Sequence, residues 1–450
     1  MDENIRKLFG TDGIRGLANK ELTPELVLRI GRAAARFLTK EGQRGRVLIG
    51  KDSRPSGDFL EASLAAGILS SGNDVYSVGI LSTPGIALLA KLLNMDGGIV
   101  ISASHNPLED NGIKIFKSGG EKLSDDQEKL LEDYILSNED ESNGKPEGLD
   151  VGRFYIVDNP LQMYIDQISG EFAFDLNKLK IAVDCANGAT SIAVPKVLSM
   201  LGANVMSFNT DIKSGLINKN CGSTHPEVLK QIVRESRAEI GFSYDGDGDR
   251  VIACDSAGRI FDGDVIMAFC AINMKNKGIL QNNSVVTTIM ANYGFEKAMQ
   301  ERGIKVFKTQ VGDRYVLEKM VETGSILGGE QSGHIIFKYF SHIGDGLVST
   351  LILLEYLYET KTEISTIYDI IEHYPQLLKN LKVKDKETIM QSDELQEKIT
   401  QSELKLSGHG KVVVRSSGTE PIVRVMVEAR TLELVHEIQE DLCEFISRFN

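Results

Sequence analysis

The sequence predicts an α/β protein: three related α/β domains with mixed sheets, followed by a smaller α+β C-terminal domain. Three observations carry this prediction. One strand–helix–strand pattern recurs three times, the rhythm changes after about His373, and 450 residues exceed what one ordinary core fills.

In the first repeat the apolar run Arg46 to Gly50 leads through a helix near Asp58 to Ser71 into a strand opened by Gly72. The second runs from Lys180 to Asp184, through Ile192 to Leu201, into Gly202 to Val205. The third runs from Ser284 to Met290, through Gly294 to Arg302, into Gly303 to Phe307. An apolar strand, a helix and a glycine-led second strand make a βαβ unit, whose crossover leaves its two strands parallel. Helix starts are marked by Thr23 before Pro24 and Glu25, and by Ser124-x-x-Gln127, a capping box. Asn138 to Gly148 has no apolar face and is expected to be a surface linker. Beyond His373 come a strand (Leu381 to Lys384), a helix (Asp393 to Thr400), two strands (Lys411 to Val414, Ile422 to Val427) and a helix (Leu432 to Ser447). That order suits an antiparallel sheet. The expected divisions are 1–150, 151–256, 257–372 and 373–450.

Fifty Lys and Arg against 64 Asp and Glu give a net charge of −14, so no whole-protein basic field is available to hold nucleic acid or an anionic membrane. A phosphate ligand must be met by local cations. The N-terminus lacks a charged-then-apolar signal, and no run approaches the roughly 18 apolar residues of a membrane span, so the expected location is the cytoplasm. Cys185, Cys221, Cys254, Cys270 and Cys443 are odd in number, with no C-x-x-C, and are expected to be reduced.

Five segments carry chemistry. Asp245-Gly-Asp247-Gly-Asp249-Arg250 follows the apolar run Ile240 to Phe242, setting three carboxylates in alternation with glycines past a strand end. Alternate side chains of an extended segment share a face, and three hard oxygens suit Mg²⁺ better than zinc. A calcium loop is disfavoured because its sixth position would be Arg250 and its twelfth Ser256. A plain acidic turn is weakened by the mutual repulsion of three like charges. Ser102-Ala-Ser104-His105-Asn-Pro follows Gly98 to Val100 at another strand end. It is not a G-x-S-x-G elbow, and by itself it suits a capped turn as well as a nucleophile. Gly328-Gly-Glu330-Gln331-Ser332-Gly-His334 packs hydrogen-bonding groups between glycines, as a loop meeting sugar hydroxyls requires. Arg415-Ser-Ser417-Gly418-Thr419, with Arg424 beyond, has the ingredients of a phosphate cradle or of a hairpin with solvated arginines. Phe9 to Gly16 sets Arg15 among glycines, and Lys114 adds a cation after Ser104.

Together FGTDGIRG, SASHNP, DGDGDR, GGEQSGH and RSSGTEP resemble the α-D-phosphohexomutase superfamily, in that family's order and from Phe9 to Arg424. The chain is similar in particular to the bacterial-type glucosamine-phosphate branch, through LFGTDGIRG, SASHNPLEDNGIK, VGDRYVLEKM, GEQSGH and SGTEP. The resemblance implies four domains around a central cleft, devoted in chain order to the phosphoserine, the metal, the sugar and the distal phosphate. Ser104 would be the phosphoserine. Asp245, Asp247 and Asp249 would hold Mg²⁺ with a Ser104 phosphate oxygen, while Arg250 and Lys114 would surround the transferring group. Thr11 and Arg15 would line the cleft. Glu330 and Ser332, with His334 beside them, would meet the sugar, and Arg415, Ser417, Gly418, Thr419 and Arg424 the phosphate that is not reacting. Two positions depart from wider family patterns: the last loop has Ser416 where many members have Pro, and Asp313 stands where glucose and mannose mutases often have His.

The implied reaction interconverts glucosamine 6-phosphate and 1-phosphate through a hexosamine 1,6-bisphosphate that is both intermediate and activator, feeding UDP-N-acetylglucosamine synthesis. The implied partner is a small sugar phosphate, without nucleic acid or membrane, and a homodimer is compatible with it. Phosphoserine adds roughly −1.5 to −2 charge, which the metal, Arg250 and Lys114 would offset. Lys114, His105 and His334 are candidates for the general base. The rivals are a glucose or mannose phosphate mutase, a phosphatase, an aspartyl-phosphate enzyme using Asp245, and a non-catalytic sugar-phosphate sensor.

Overall fold

The computed structural model describes residues 8–10, 12–40, 43–137, 146–416 and 421–448. Thr11, Ser417, Gly418 and Thr419 lie outside the described residues, as does the expected linker up to residue 145.

The first sheet comprises β1 (Phe9–Gly10), β2 (Gly13–Leu17), β3 (Arg46–Lys51), β4 (Asp74–Ile80), β5 (Gly97–Ile101), β6 (Asp110–Lys117) and β7 (Phe154–Ile156), in the order β1-β2-β6-β5-β3-β4-β7. Helices α1 (Pro24–Leu38), α2 (Gly57–Ser70), α3 (Thr83–Leu92) and α4 (Asp125–Leu136) accompany it. After α5 (Pro160–Ser169) the second sheet follows, from β8 (Lys180–Asp184), β9 (Asn204–Phe208), β10 (Ile240–Tyr244), β11 (Val251–Asp255) and β12 (Ile260–Phe261), with α6 (Ala193–Met200) and α7 (Pro226–Ser236). The third contains β13 (Ser284–Thr288), β14 (Lys305–Thr309), β15 (Leu327–Gly329) and β16 (Ile335–Phe337), with α8 (Gly263–Asn276), α9 (Tyr293–Glu301), α10 (Asp313–Thr323) and α11 (Gly346–Thr360).

These sheets repeat one core. The orders β4-β3-β5-β6, β9-β8-β10-β11 and β14-β13-β15-β16 each place three parallel strands beside an antiparallel fourth. The first two strands of each repeat are the pairs expected from sequence, and α2, α6 and α9 are their crossovers. The turn from third to fourth strand is therefore equivalent in all three, and it holds SASHNP, DGDGDR and EQSGH respectively. Such turns lie at the carboxyl ends of the parallel strands, where open α/β sheets collect their ligands.

The helix signals hold. Thr23 accepts from the Leu26 N–H with Pro24 in the first turn, and Ser124 and Gln127 form both bonds of the capping box. α11 is apolar nearly all round, so it is buried from Gly346 to Leu354 rather than striped. It joins one continuous core that takes Leu48 and Val100 from the first sheet, Val183 and Phe242 from the second, and Val285 and Leu327 from the third. The three units are thus cemented by apolar burial, which fixes their turns relative to one another.

The last unit has β17 (Gln376–Lys382), α12 (Lys386–Met390), α13 (Asp393–Leu406), β18 (Gly410–Ser416), β19 (Ile422–Ala429) and α14 (Leu432–Ser447). Its three strands are antiparallel in the order β17-β19-β18 and have their own core. β17 starts before the expected Leu381 because its register with β19 extends to Gln376, although an exposed edge strand shows little apolar alternation. Two other edge strands cross the expected divisions. β7 pairs with β4 past residue 150, and β12 pairs with β11 past residue 256. Both are short, and β7 is exposed at every residue, so neither carries a core pattern. All five cysteines are buried and unpaired. Among the described residues no helix is long and apolar enough to cross a membrane.

Candidate active site

Ser104 is fully buried at the head of the β5–β6 turn and adopts φ 52°, a left-handed conformation that costs a non-glycine residue about 1–3 kcal/mol. Its surroundings impose that geometry. The Ser104 N–H donates to Ser102 Oγ (2.9 Å), and the Ser102 hydroxyl donates to Asp52 Oδ2 (2.6 Å). The Ser104 carbonyl accepts from Arg54 Nη2 (3.1 Å) and Asn218 Nδ2 (2.8 Å). Arg54, itself buried, also binds the carbonyls of Asn106, Pro107 and Asp110, so one guanidinium knits the whole turn. The Ser104 hydroxyl is thereby aimed at Asp245 Oδ2, at 2.5 Å, with His105 Nδ1 at 3.3 Å.

Asp245, Asp247 and Asp249 are buried, and a ligand oxygen from each lies within 4.8 Å of the others. Gly248 permits the bend at φ 75°; a Cβ there would stand 2.5 Å from Thr190 Cγ2. Thr83 Oγ1 donates to Asp247 Oδ2 (2.5 Å), and Lys114 Nζ bonds Asp247 Oδ2 (2.9 Å) and Asp249 Oδ2 (3.3 Å). Burial, then the Asp249 and Asp247 carboxylates, push the Asp245 carboxyl well above its usual range. Burial opposes ionisation of Asp249 too, yet Lys114, His334 and Arg250 hold it well below. Asp247 Oδ1 and Asp249 Oδ1 are buried without a hydrogen-bond partner among the described residues. Two buried carboxylate oxygens without hydrogen-bond partners, beside a carboxyl pushed toward neutrality by its neighbours, form a donor set that a cation would satisfy. The residues therefore fit a hard metal ion, and this is the one cluster of its kind among the described residues.

Cations ring the triad. Burial disfavours the Lys114 ammonium, but Asp12, Asp247 and Asp249 keep its pKa well above the usual value. Arg15 donates to Asp12 Oδ2 (2.5 Å) and Asn106 Oδ1 (3.0 Å). Arg250 Nε stands 3.8 Å from Asp249 Oδ1, and the Nε atoms of Arg15 and Arg250 are buried without hydrogen-bond partners among the described residues. Burial together with these two arginines holds the His105 imidazole down at about 3, so it is neutral at pH 7.

The remaining expected residues fall in two places. Glu330 accepts from the Gly312 N–H (3.0 Å), and exposed Ser332 leans on it (3.4 Å). His334 is buried instead, its Nδ1 3.6 Å from Asp249 and its Nε2 3.4 Å from Asp313, accepting from the Gly344 N–H. It braces the triad from behind. Asp313 is turned to Lys122 and accepts from the Arg314 N–H, so its carboxylate is already engaged. Arg415 and Arg424 are direct cross-strand partners on β18 and β19. Burial and the Arg424 charge lower the Arg415 pKa, the Glu330 carboxylate opposes this across the site, and Arg415 Nε is without a hydrogen-bond partner among the described residues.

Sequence reasoning missed Asp12, Asp52, Arg54, Thr83, Lys122 and Asn218. Asp52 to Arg54 and Thr83 lie just past β3 and β4, so strand-end position could have flagged them. Nothing local marks Lys122 or Asn218.

Four family descriptions match the chain in order: phosphoglucomutase/phosphomannomutase alpha/beta/alpha domains I (residues 6–142), II (162–258) and III (262–374), and the C-terminal domain (378–445). The chain is 48% identical over 442 residues to the phosphoglucosamine mutase of Desulforamulus reducens, covering 98% of this chain and 99% of that one. A phosphoglucomutase/phosphomannomutase family protein from Burkholderia thailandensis superposes with TM-score 0.79 at 25% identity, covering 97% of each chain. An N-acetylphosphoglucosamine mutase of Aspergillus fumigatus, in complex with GlcNAc-6P and magnesium, shares the fold with TM-score 0.67 at 18% identity, over 99% of this chain and 96% of that one.

Proposed function

This chain belongs to the phosphoglucomutase/phosphomannomutase family, and from that membership we propose that it is a phosphoglucosamine mutase, an isomerase carrying a phosphoryl group on Ser104. The choice of glucosamine is supported by curated relatives of that name at 46–48% identity over nearly the whole chain. The observation that carries the mechanism is the Ser104 hydroxyl at 2.5 Å from Asp245. A phosphoserine dianion there would face three carboxylates, which only a cation between them makes tolerable. Magnesium suits the three hard oxygens, and bound by Asp245, Asp247 and Asp249 it would offset that charge.

The free hydroxyl of a hexosamine monophosphate attacks the phosphorus, and the bond from phosphorus to Ser104 Oγ breaks. His105, with its Nδ1 3.3 Å from the Ser104 hydroxyl, is placed to take the hydroxyl proton, although burial and the two arginines oppose its protonated form, whereas Lys114 is held charged and would face the phosphoryl oxygens. Arg250 and Arg15, whose Nε atoms make no hydrogen bond among the described residues, meet charge that shifts outward during transfer. The Arg415 strand, with Arg424 opposite, anchors the other phosphate, and Glu330 and Ser332 hold sugar hydroxyls in either orientation. The bisphosphate then turns over, returns a phosphoryl group to Ser104 Oγ from its other end, and leaves as the isomer. The four units accordingly supply nucleophile, metal, sugar contact and distal anchor.

Peptide mapping after incubation with hexosamine 1,6-bisphosphate should find phosphate on Ser104, and Ser104→Ala should neither acquire it nor turn over. Active enzyme that never phosphorylates Ser104 would remove this reading.

A further inference from the structure

Lys122 lies outside every motif discussed above, in the stretch between β6 and α4. Its side chain is only 10% exposed, and its ammonium bonds Asp12 Oδ1 in the first unit and Asp313 Oδ2 at the start of α10 in the third. The remaining oxygen of Asp12 is the shared acceptor of Lys114 (3.0 Å) and Arg15 (2.5 Å). Asp12 therefore has one oxygen facing the reacting groups and one facing Lys122. The exchange is reciprocal, since Arg314, next to Asp313, reaches back to Asp125 and Glu128 on α4. The space beside Lys122, lined by Phe9, Asp12, Lys114, Glu128 and Arg314, is a cavity of about 10 Å³, roughly the room of a single water.

Removing the Lys122 charge would leave Asp12 and Asp313 as two partly buried carboxylates without their common cation. Asp12 could then rotate toward Lys114 and Arg15 or away from them, and the third unit would lose a tie to the first. Lys114 also bonds Asp247 and Asp249, so its position over the triad depends on where Asp12 stands.

We propose that Lys122 is a positioning residue for the transfer step: by tying Asp12 to Asp313 it holds Lys114 and Arg15 in register with the aspartate triad and clasps the first unit to the third. It touches neither Ser104 nor the triad, and acts through Asp12 and, on the other side, through Asp313, which stands beside His334 behind Asp249.

The proposal rests on the mutase reading, so the parent enzyme is assayed first with glucosamine 6-phosphate; no conversion there sinks that reading and leaves the positioning role without a reaction. With an active parent, Lys122→Met should lower kcat roughly 10- to 100-fold with KM within about threefold, because geometry at the reacting atoms is lost while the anchor is intact. Lys122→Arg, which keeps the charge, should recover most of the loss at an unchanged Tm. A Lys122→Met enzyme with kcat within about twofold of the parent overturns the role. So does a Lys122→Arg enzyme that falls as far as Lys122→Met while both lose Tm, since a bare structural contribution would explain that result. If Lys122→Met yields no folded protein, Asp313→Asn cuts the clasp from the other side: a kcat loss at constant KM supports the proposal, and parental kcat overturns it.

Discussion

Replacing Arg415 by Ala tests the distal anchor. Arg415 faces Arg424 directly across β18 and β19, and burial together with that charge destabilises its own ionised form. Like charges directly opposite in a sheet cost up to about 1 kcal/mol unless an anion joins them. A substrate phosphate between the two guanidinium groups relieves the repulsion and gains charge-assisted hydrogen bonds, so free and bound states respond oppositely to the substitution. Losing one such bond costs roughly 1.5–3 kcal/mol, which lowers kcat/KM roughly 10- to 150-fold. The free enzyme should keep or slightly raise its Tm, since a repulsive pair has gone. Steady-state kinetics with glucosamine 6-phosphate, a melt without ligand, and phosphorus NMR for escaping bisphosphate together measure all three effects. Escape of the bisphosphate should increase because the anchor holds it while it turns. Parental kcat/KM with parental bisphosphate release would show that the loop is an ordinary hairpin.

Chelation should abolish turnover and Mg²⁺ should restore it, with zinc a poor substitute for a site of three carboxylate oxygens; full activity of metal-free Asp247→Ala would refute the triad as a metal site. Burial first, and then Glu296, raise the Glu428 carboxyl to about 7 against the pull of Lys411. The folded state therefore keeps a proton that the unfolded state releases near pH 4.5. The associated stability is present below that pH and is lost as pH rises through about 7, by as much as about 3 kcal/mol. Glu428→Gln should flatten the decline of Tm between about pH 5 and about pH 8, and an unchanged slope would place the titration elsewhere. Glucosamine 6-phosphate should give the highest kcat/KM among glucosamine, N-acetylglucosamine, glucose and mannose 6-phosphates. A better glucose or mannose substrate would move the enzyme to a sister specificity.

Much of the fold is legible in local pattern. The Gly72, Gly202 and Gly303 rhythm identifies three βαβ crossovers because a buried parallel strand is nearly all apolar and its helix must end before the chain returns. β7 and the start of β17 escape because edge strands are stabilised by backbone pairing that any side chain permits, leaving Phe154, Tyr155, Ile156 and Leu378 exposed. The resemblance sets His334 beside Glu330 and Ser332, where the sugar is expected. His334 is buried against Asp249 and Asp313 because the turn between β15 and β16 directs that side chain inward.

The sequence by itself determined the kinds of side chain present: a serine–histidine turn, three alternating carboxylates, a glycine-rich polar loop and an arginine pair, each near a strand end set by short-range apolar runs. Tertiary structure alone decided who meets whom. The pairing of Ser104 with Asp245, the three-way contact of Lys114 with Asp12, Asp247 and Asp249, and the bridge from Asp12 through Lys122 to Asp313 all join distant stretches of chain. Local patterning records which face of a strand is buried, but contacts between units depend on how the shared core orients three sheets. That orientation is a cooperative result of packing, and no single segment encodes it.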